Sequence, residues 1–271
     1  MTATEAEIRR RNAVEVRGRE DGPTMVFAHG YGTSKNMWRR VVPDFEKTHR
    51  VILFDHIGSG QSDVSLYSRA KYDSLYGYAD DLNALIRALG GAPVIYVGHS
   101  ISAMIGVLAA IDAPELFRSL VMVAPSPCYI NEEGYVGGFE RSDVEGLLDA
   151  LDANHHAWSE RLAPLVMANA DRPELAAELR DSFVSTDTRV AQHFARVTFL
   201  SDNRSELDRL TVPSLILQAQ DDVIAPLEVG RYLAEHLQGS TLRELQAAGH
   251  YAHLSAPAEI IDEVRAYLAA A

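Results

Sequence analysis

A chain of 271 residues, 47% apolar and 23% charged, has the make-up of an ordinary globular protein and enough length to bury one substantial core. Its net charge of −13 argues against a nucleic-acid or anionic-membrane surface, since both need clustered Lys and Arg. The lone Cys128 leaves no intrachain disulfide or cysteine-based zinc site and suits a reducing cytoplasm, while the polar stretch 1–20 offers no signal-peptide run and no apolar run reaches the roughly 20 residues that span a bilayer.

From the N-terminus, Arg9-Arg10-Arg11 reads as a solvated end, and a strand around Val14–Val16 reads as an antiparallel edge. Short runs rich in Val, Ile and Leu then recur at Met25–Ala28, Arg50–Phe54, Val94–Val97, Ser119–Val123, Val212–Gln218 and Thr241–Leu245. Their near-continuous apolar character predicts parallel strands covered on both faces. Helical spacing through Leu82, Leu85, Ile86 and Leu89 predicts a helix over Tyr78–Leu89, stopped by Gly90-Gly91, and Ala103–Ile111, Leu227–Leu237 and Glu259–Leu268 read likewise. Strand–helix alternation of this kind implies an open α/β sheet with right-handed crossovers.

The alternation breaks between about Pro127 and Leu210. Helical patterns alone occupy that stretch, at Val144–Leu151, Trp158–Met167, Pro173–Phe183 and Arg189–Leu200. An all-helical insert after the sixth strand would sit over the C-terminal ends of the strands, where open α/β sheets place ligands. The expected division is therefore core over 1–126, helical lid over 127–202, and core again over 203–271.

The chemistry centres on Gly98-His99-Ser100-Ile101-Ser102, between an apolar strand and an apolar helix. A serine on so tight a turn, with small residues two places to either side, reads as a nucleophile elbow. Gly is usual in the last place, where this chain has Ser102. A serine hydroxyl needs a base, and the base an orienting acid, in the chain order Ser, Asp/Glu, His. Asp221 and Asp222 follow the strand ending at Gln218, and His250 follows the last strand, so three loops would converge on one spot; spacing alone leaves the two aspartates open. His253, three residues on, reads as a packed or hydrogen-bonded loop residue, and His99 as a packing residue. For the oxyanion, the donors would be the N–H groups of Ile101 and of Tyr31, the latter in the loop His29-Gly30-Tyr31-Gly32-Thr33-Ser34, whose glycines permit close approach. The stretch Asp55–Ser62 follows a strand but lacks a P-loop Lys, so it reads as a structural turn. The ten histidines show no metal-ligand spacing, and neither metal nor cofactor is expected.

These residues resemble the α/β-hydrolase superfamily and, within it, the RsbQ-type bacterial stress regulators and the plant karrikin and strigolactone receptors. The likeness runs through His29-Gly30-Tyr31-Gly32-Thr33, Val51-Ile52-Leu53-Phe54-Asp55, Gly98-His99-Ser100 with Ala103-Met104-Ile105-Gly106, Ser126-Pro127-Cys128-Tyr129, Gly137-Gly138-Phe139-Glu140, Ala157-Trp158, Phe199-Leu200-Ser201-Asp202 and Gly249-His250. Ser102, odd for the superfamily, looks like this subgroup's habit. The resemblance implies an eight-stranded, mostly parallel sheet under a four-helix lid, with Asp222 as the acid, Tyr31 and Ile101 as oxyanion donors, and Tyr31, Trp158 and Phe194 lining an apolar pocket. Tyr31 stands where such relatives often carry Phe, and its hydroxyl would narrow the pocket or offer a substrate a hydrogen bond. The implied function is hydrolysis of a small, largely apolar ester or lactone through an acyl-Ser100 intermediate. The implied setting is RsbQ-type stress signalling with a sensor or phosphatase regulator as partner. The alternatives are a ligand-binding regulator with slow turnover and a carbon–carbon bond hydrolase with the same three residues.

Overall fold

The computed structural model describes residues 4–270. The first helix, α1 (Glu5–Arg11), is capped at Thr4, whose hydroxyl accepts from the Glu7 N–H while the Glu7 carboxylate accepts from the Thr4 N–H. The helix buries Ile8, and Arg11 reaches the buried Asp81 at 3.3 Å. The triple-arginine stretch is thus not simply a solvated end: an apolar contact and an ion pair dock it on the fold.

Strands β1 (Glu15–Gly18), β2 (Thr24–Ala28), β3 (Arg50–Leu53), β4 (Val94–His99), β5 (Phe117–Val123), β6 (Ser214–Asp221) and β7 (Ser240–Ala248) form one sheet in the order β1-β3-β2-β4-β5-β6-β7. Only β1 is antiparallel, paired with β3 at the edge. The sheet of the described residues has seven strands rather than the eight implied by resemblance, so the helical insert follows the fifth strand in chain order, not the sixth. Side chains alternate between two apolar layers: Val26 and Ala28 join one, Met25 and Phe27 the other. Burial on both faces is why the strand sequences read as unbroken apolar runs.

The helices between strands are α2 (Val42–Phe45), α3 (Leu75–Leu89) and α4 (Ile101–Asp112), and, beyond β5, α5 (Arg141–Ala153), α6 (His155–Met167), α7 (Pro173–Ser185) and α8 (Thr188–Phe199). After β6 come α9 (Leu227–His236), α10 (Ala252–Ser255) and α11 (Pro257–Ala270). Helices α5 to α8 replace the single crossover helix that would otherwise join β5 to β6, with α6 packed on α7 and α5 on α8. Since β3 and β4 lie on opposite sides of β2, the connection reverses direction there, and the loops after β2 and β4 leave the sheet side by side.

Candidate active site

Ser100 is the hinge between β4 and α4. Its φ of 55° is a left-handed value that few residues with a side chain adopt, and its N–H is tied to the Val123 carbonyl at 2.8 Å. Close backbone approach enforces the small neighbour at 98: a Cβ on Gly98 would lie 2.7 Å from the Ser102 carbonyl oxygen. The bend leaves Ser100 capping the N-terminus of α4, where Ile101 is the first residue and has no carbonyl four places back to bind its N–H.

The three distant loops meet. His250 Nε2 lies 2.7 Å from Ser100 Oγ, and His250 Nδ1 lies 2.7 Å from Asp222 Oδ2. The carboxylate accepts from Nδ1–H, which leaves Nε2 unprotonated to accept from the serine hydroxyl. All three side chains are buried. Asp222 is held in turn by the N–H groups of Ile224 and Ala225, both donating to Oδ1, at 2.8 and 3.1 Å. The neighbouring Asp221 points outward into solvent and contributes only its carbonyl, which accepts from the Gly249 N–H.

Two more histidines pack against this chain. His99 donates from Nε2 to the His250 carbonyl at 2.8 Å, so it fixes the loop carrying His250 and is more than packing. His253 packs against Trp38 at a tilt of 32°, ring centroids 4.6 Å apart, and neither of its nitrogens finds a partner among the described residues. Burial, with His250 and Arg39 nearby, pushes it down to about 3. Burial likewise holds His99 well below the ordinary histidine range. Both rings are therefore neutral beside His250 near pH 7.

The loop after β2 abuts Ser100: a Cβ on Gly30 would stand 3.3 Å from Ser100 Cβ and 2.5 Å from His99 Nδ1, so only glycine fits. Next to it, Tyr31 turns its ring into the space above Ser100. Its hydroxyl donates to the Ala191 carbonyl of α8 at 3.0 Å, so it is committed to the helix above and not offered to a substrate.

The space over Ser100 is a cavity of about 20 Å³, walled by Tyr31, Tyr129, Phe183, Phe199 and Val166 among others. That is room for about one water molecule. Of the three residues expected to line it, only Tyr31 does. Trp158 and Phe194 stand behind Tyr31, with ring centroids 6.0 and 5.8 Å from its own, and Phe194 stacks on Tyr78. Sequence reasoning missed Phe183 and Thr198, because nothing in a helical pattern tells which turn faces a distant loop. It met Tyr129 only inside a quoted motif. The Tyr129 and Thr198 hydroxyls are buried at this cavity without a hydrogen-bond partner among the described residues.

Elsewhere, Asp55 anchors the turn up to Ser62, accepting from the Lys35 and Gln61 N–H groups at 2.7 and 2.9 Å and from Lys35 Nζ at 3.0 Å. Among the described residues no cluster of three His, Cys, Asp or Glu is arranged to hold a metal, and no helix is long and apolar enough to cross a membrane.

Comparison with known proteins points to the same fold. The family model for the alpha/beta hydrolase fold matches residues 23–257. Strigolactone esterase D14 of Arabidopsis thaliana is 37% identical over 255 residues, covering 93% of this chain and 95% of that protein. Karrikin insensitive 2 receptor IA of Petunia hybrida is 37% identical, covering 86% of each. A solved hydrolase from Oleispira antarctica superposes with a TM-score of 0.96 at 40% identity, covering 98% of each chain. The chain therefore belongs to the α/β-hydrolase family and is an enzyme of the hydrolase class.

Proposed function

We propose that this protein hydrolyses a small ester or lactone through a covalent acyl intermediate on Ser100. What carries the reading is the unbroken chain of two 2.7 Å contacts from Ser100 through His250 to Asp222. Ser100 Oγ attacks the carbonyl carbon as its proton passes to His250 Nε2, and the Asp222 carboxylate steadies the imidazolium. The Ile101 and Tyr31 N–H groups take the developing oxyanion. His250 then returns the proton to the leaving alkoxide, and a water activated by the same imidazole frees the acyl group.

The apolar wall favours a largely apolar acyl group, while the unpartnered Tyr129 and Thr198 hydroxyls favour a substrate with at least one further oxygen. An ester many times larger than a water molecule cannot enter a cavity of about 20 Å³, so residues 127–202 act as a lid that must part before binding. A serine-directed fluorophosphonate should add one label, seen as a mass shift that vanishes in Ser100→Ala. That variant should lose about 10⁴-fold or more in p-nitrophenyl ester turnover, the scale set by removing a serine nucleophile. Wild-type turnover in Ser100→Ala would overturn the mechanism.

A second reading, favoured by the receptor and esterase names of the relatives, places this hydrolysis in a signalling role of RsbQ type. Turnover would then reset a lid surface that a sensor or phosphatase regulator in the cytoplasm recognises. Co-purification of such a partner only when ligand is supplied supports it; no partner with or without ligand counts against it.

A further inference from the structure

The two oxyanion donors come from different strands, β2 and β4, so something must hold the gap between their loops. A crowded elbow explains why residue 102 is small, yet not why it is serine. Its side chain is fully buried and fully bonded: Oγ–H donates to the His29 carbonyl at 2.5 Å, and Oγ accepts from His56 Nε2–H at 2.8 Å. The His56 backbone N–H donates to His29 Nε2 at 3.1 Å, and the buried ring sits edge-on to Phe54 and Tyr78. His29 spends its other nitrogen on the Gly30 carbonyl, donating from Nδ1 at 2.8 Å, and Thr33 Oγ1 donates to the same oxygen at 3.0 Å. Each proton position follows from the next acceptor in the chain.

The Gly30 carbonyl and the Tyr31 N–H belong to one peptide group. In a planar trans peptide the two point in opposite directions, so a carbonyl gripped on one side fixes where the N–H aims on the other. The His29 carbonyl, one peptide earlier, is the point at which α4 takes hold of this loop.

We propose that Ser102 and His56 are positioning residues for the oxyanion hole, the relay His56 Nε2–H to Ser102 Oγ–H to His29 O clamping the Tyr31 loop against the helix that carries Ser100 and Ile101. This rests on the serine-hydrolase reading above. Losing a donor outright typically costs 10²–10³ in rate, so a loosened donor should cost about tenfold in kcat.

The test compares Ser102→Ala, His56→Phe, their double variant and His56→Gln on p-nitrophenyl butyrate, with phenylboronic acid as a tetrahedral mimic. His56→Phe keeps the aromatic packing without the donor, and reads the relay from its far end should Ser102→Ala fold poorly. Each single variant should lower kcat and boronate affinity by about tenfold with KM within about twofold. The double variant should be no worse than the worse single, because both break one chain. His56→Gln, which keeps an N–H at the same reach, should recover most of the loss. Unchanged kcat and boronate affinity in both single variants, or losses that simply multiply in the double, would overturn the proposal. Residual full activity in Ser100→Ala is a different failure and would remove the underlying mechanism instead.

Discussion

Asp221 and Asp222 are adjacent in the chain, yet only one carboxylate turns inward to His250. Asp222→Asn should place an amide where Nδ1–H needs an acceptor, favour the wrong imidazole tautomer and cut kcat by about 10⁴, whereas Asp221→Asn should stay near wild type. Equal losses in the two variants, measured by steady-state kinetics, would reverse the assignment. Spacing alone left these residues open and only the family resemblance singled out Asp222, because one step along an extended chain flips a side chain to the other face and nothing nearby marks which face meets His250. Ser100 and His250 were legible, since a glycine that the turn requires stands two places before the one, at 98, and directly before the other, at 249 (φ 84°). The His56–Ser102 relay was not legible: it joins a loop to a helix 46 residues further on, and neither residue belongs to a spacing that announces the other.

At the level of elements, the phenol of Tyr31 bolts the loop after β2 to α8, and with Phe183 and Phe199 it fills the space over Ser100. Its hydroxyl meets a carbonyl of a helix, so a Tyr31→Phe change removes one buried hydrogen bond and keeps the ring. A net loss of about 1 kcal/mol would let α8 lift about fivefold more often. Amide exchange over Thr188–Phe199 should speed up by that factor, and turnover of longer acyl esters should rise relative to acetate. Identical exchange and chain-length profiles in the two proteins would show that the bolt does not govern entry. The strands and most helices were readable because burial on two faces, or on one stripe, writes a period into the sequence. The small size of the cavity was not, since side chains from α6, α7 and α8 close it from above and their meeting depends on how those helices lean.

Taken whole, the molecule buries an unusual set of neutral imidazoles: His29, His56, His99 and His253 are all pushed below the ordinary histidine value, chiefly by burial. In the unfolded chain each would bind a proton near pH 6.5, so above that pH none affects stability. As pH falls below about 6.5 the unfolded state gains protons that the folded state refuses. Stability is lost progressively, down to about pH 3 for His253. Each such histidine lowers the folding constant by about tenfold per pH unit in that window. Urea unfolding midpoints should hold between pH 8 and 7 and drop steeply from 6 to 5; a flat profile across that range would contradict the neutral assignment. One more consequence follows from Val166, whose side chain helps wall the cavity while its carbonyl accepts the His250 N–H at 2.8 Å. Under the proposed mechanism, a misfitting acyl group that presses on this residue would tug directly on His250, so the enzyme would reject poor substrates by spoiling proton transfer after they have bound. Discrimination among esters would then surface in turnover number rather than in how tightly each one is held.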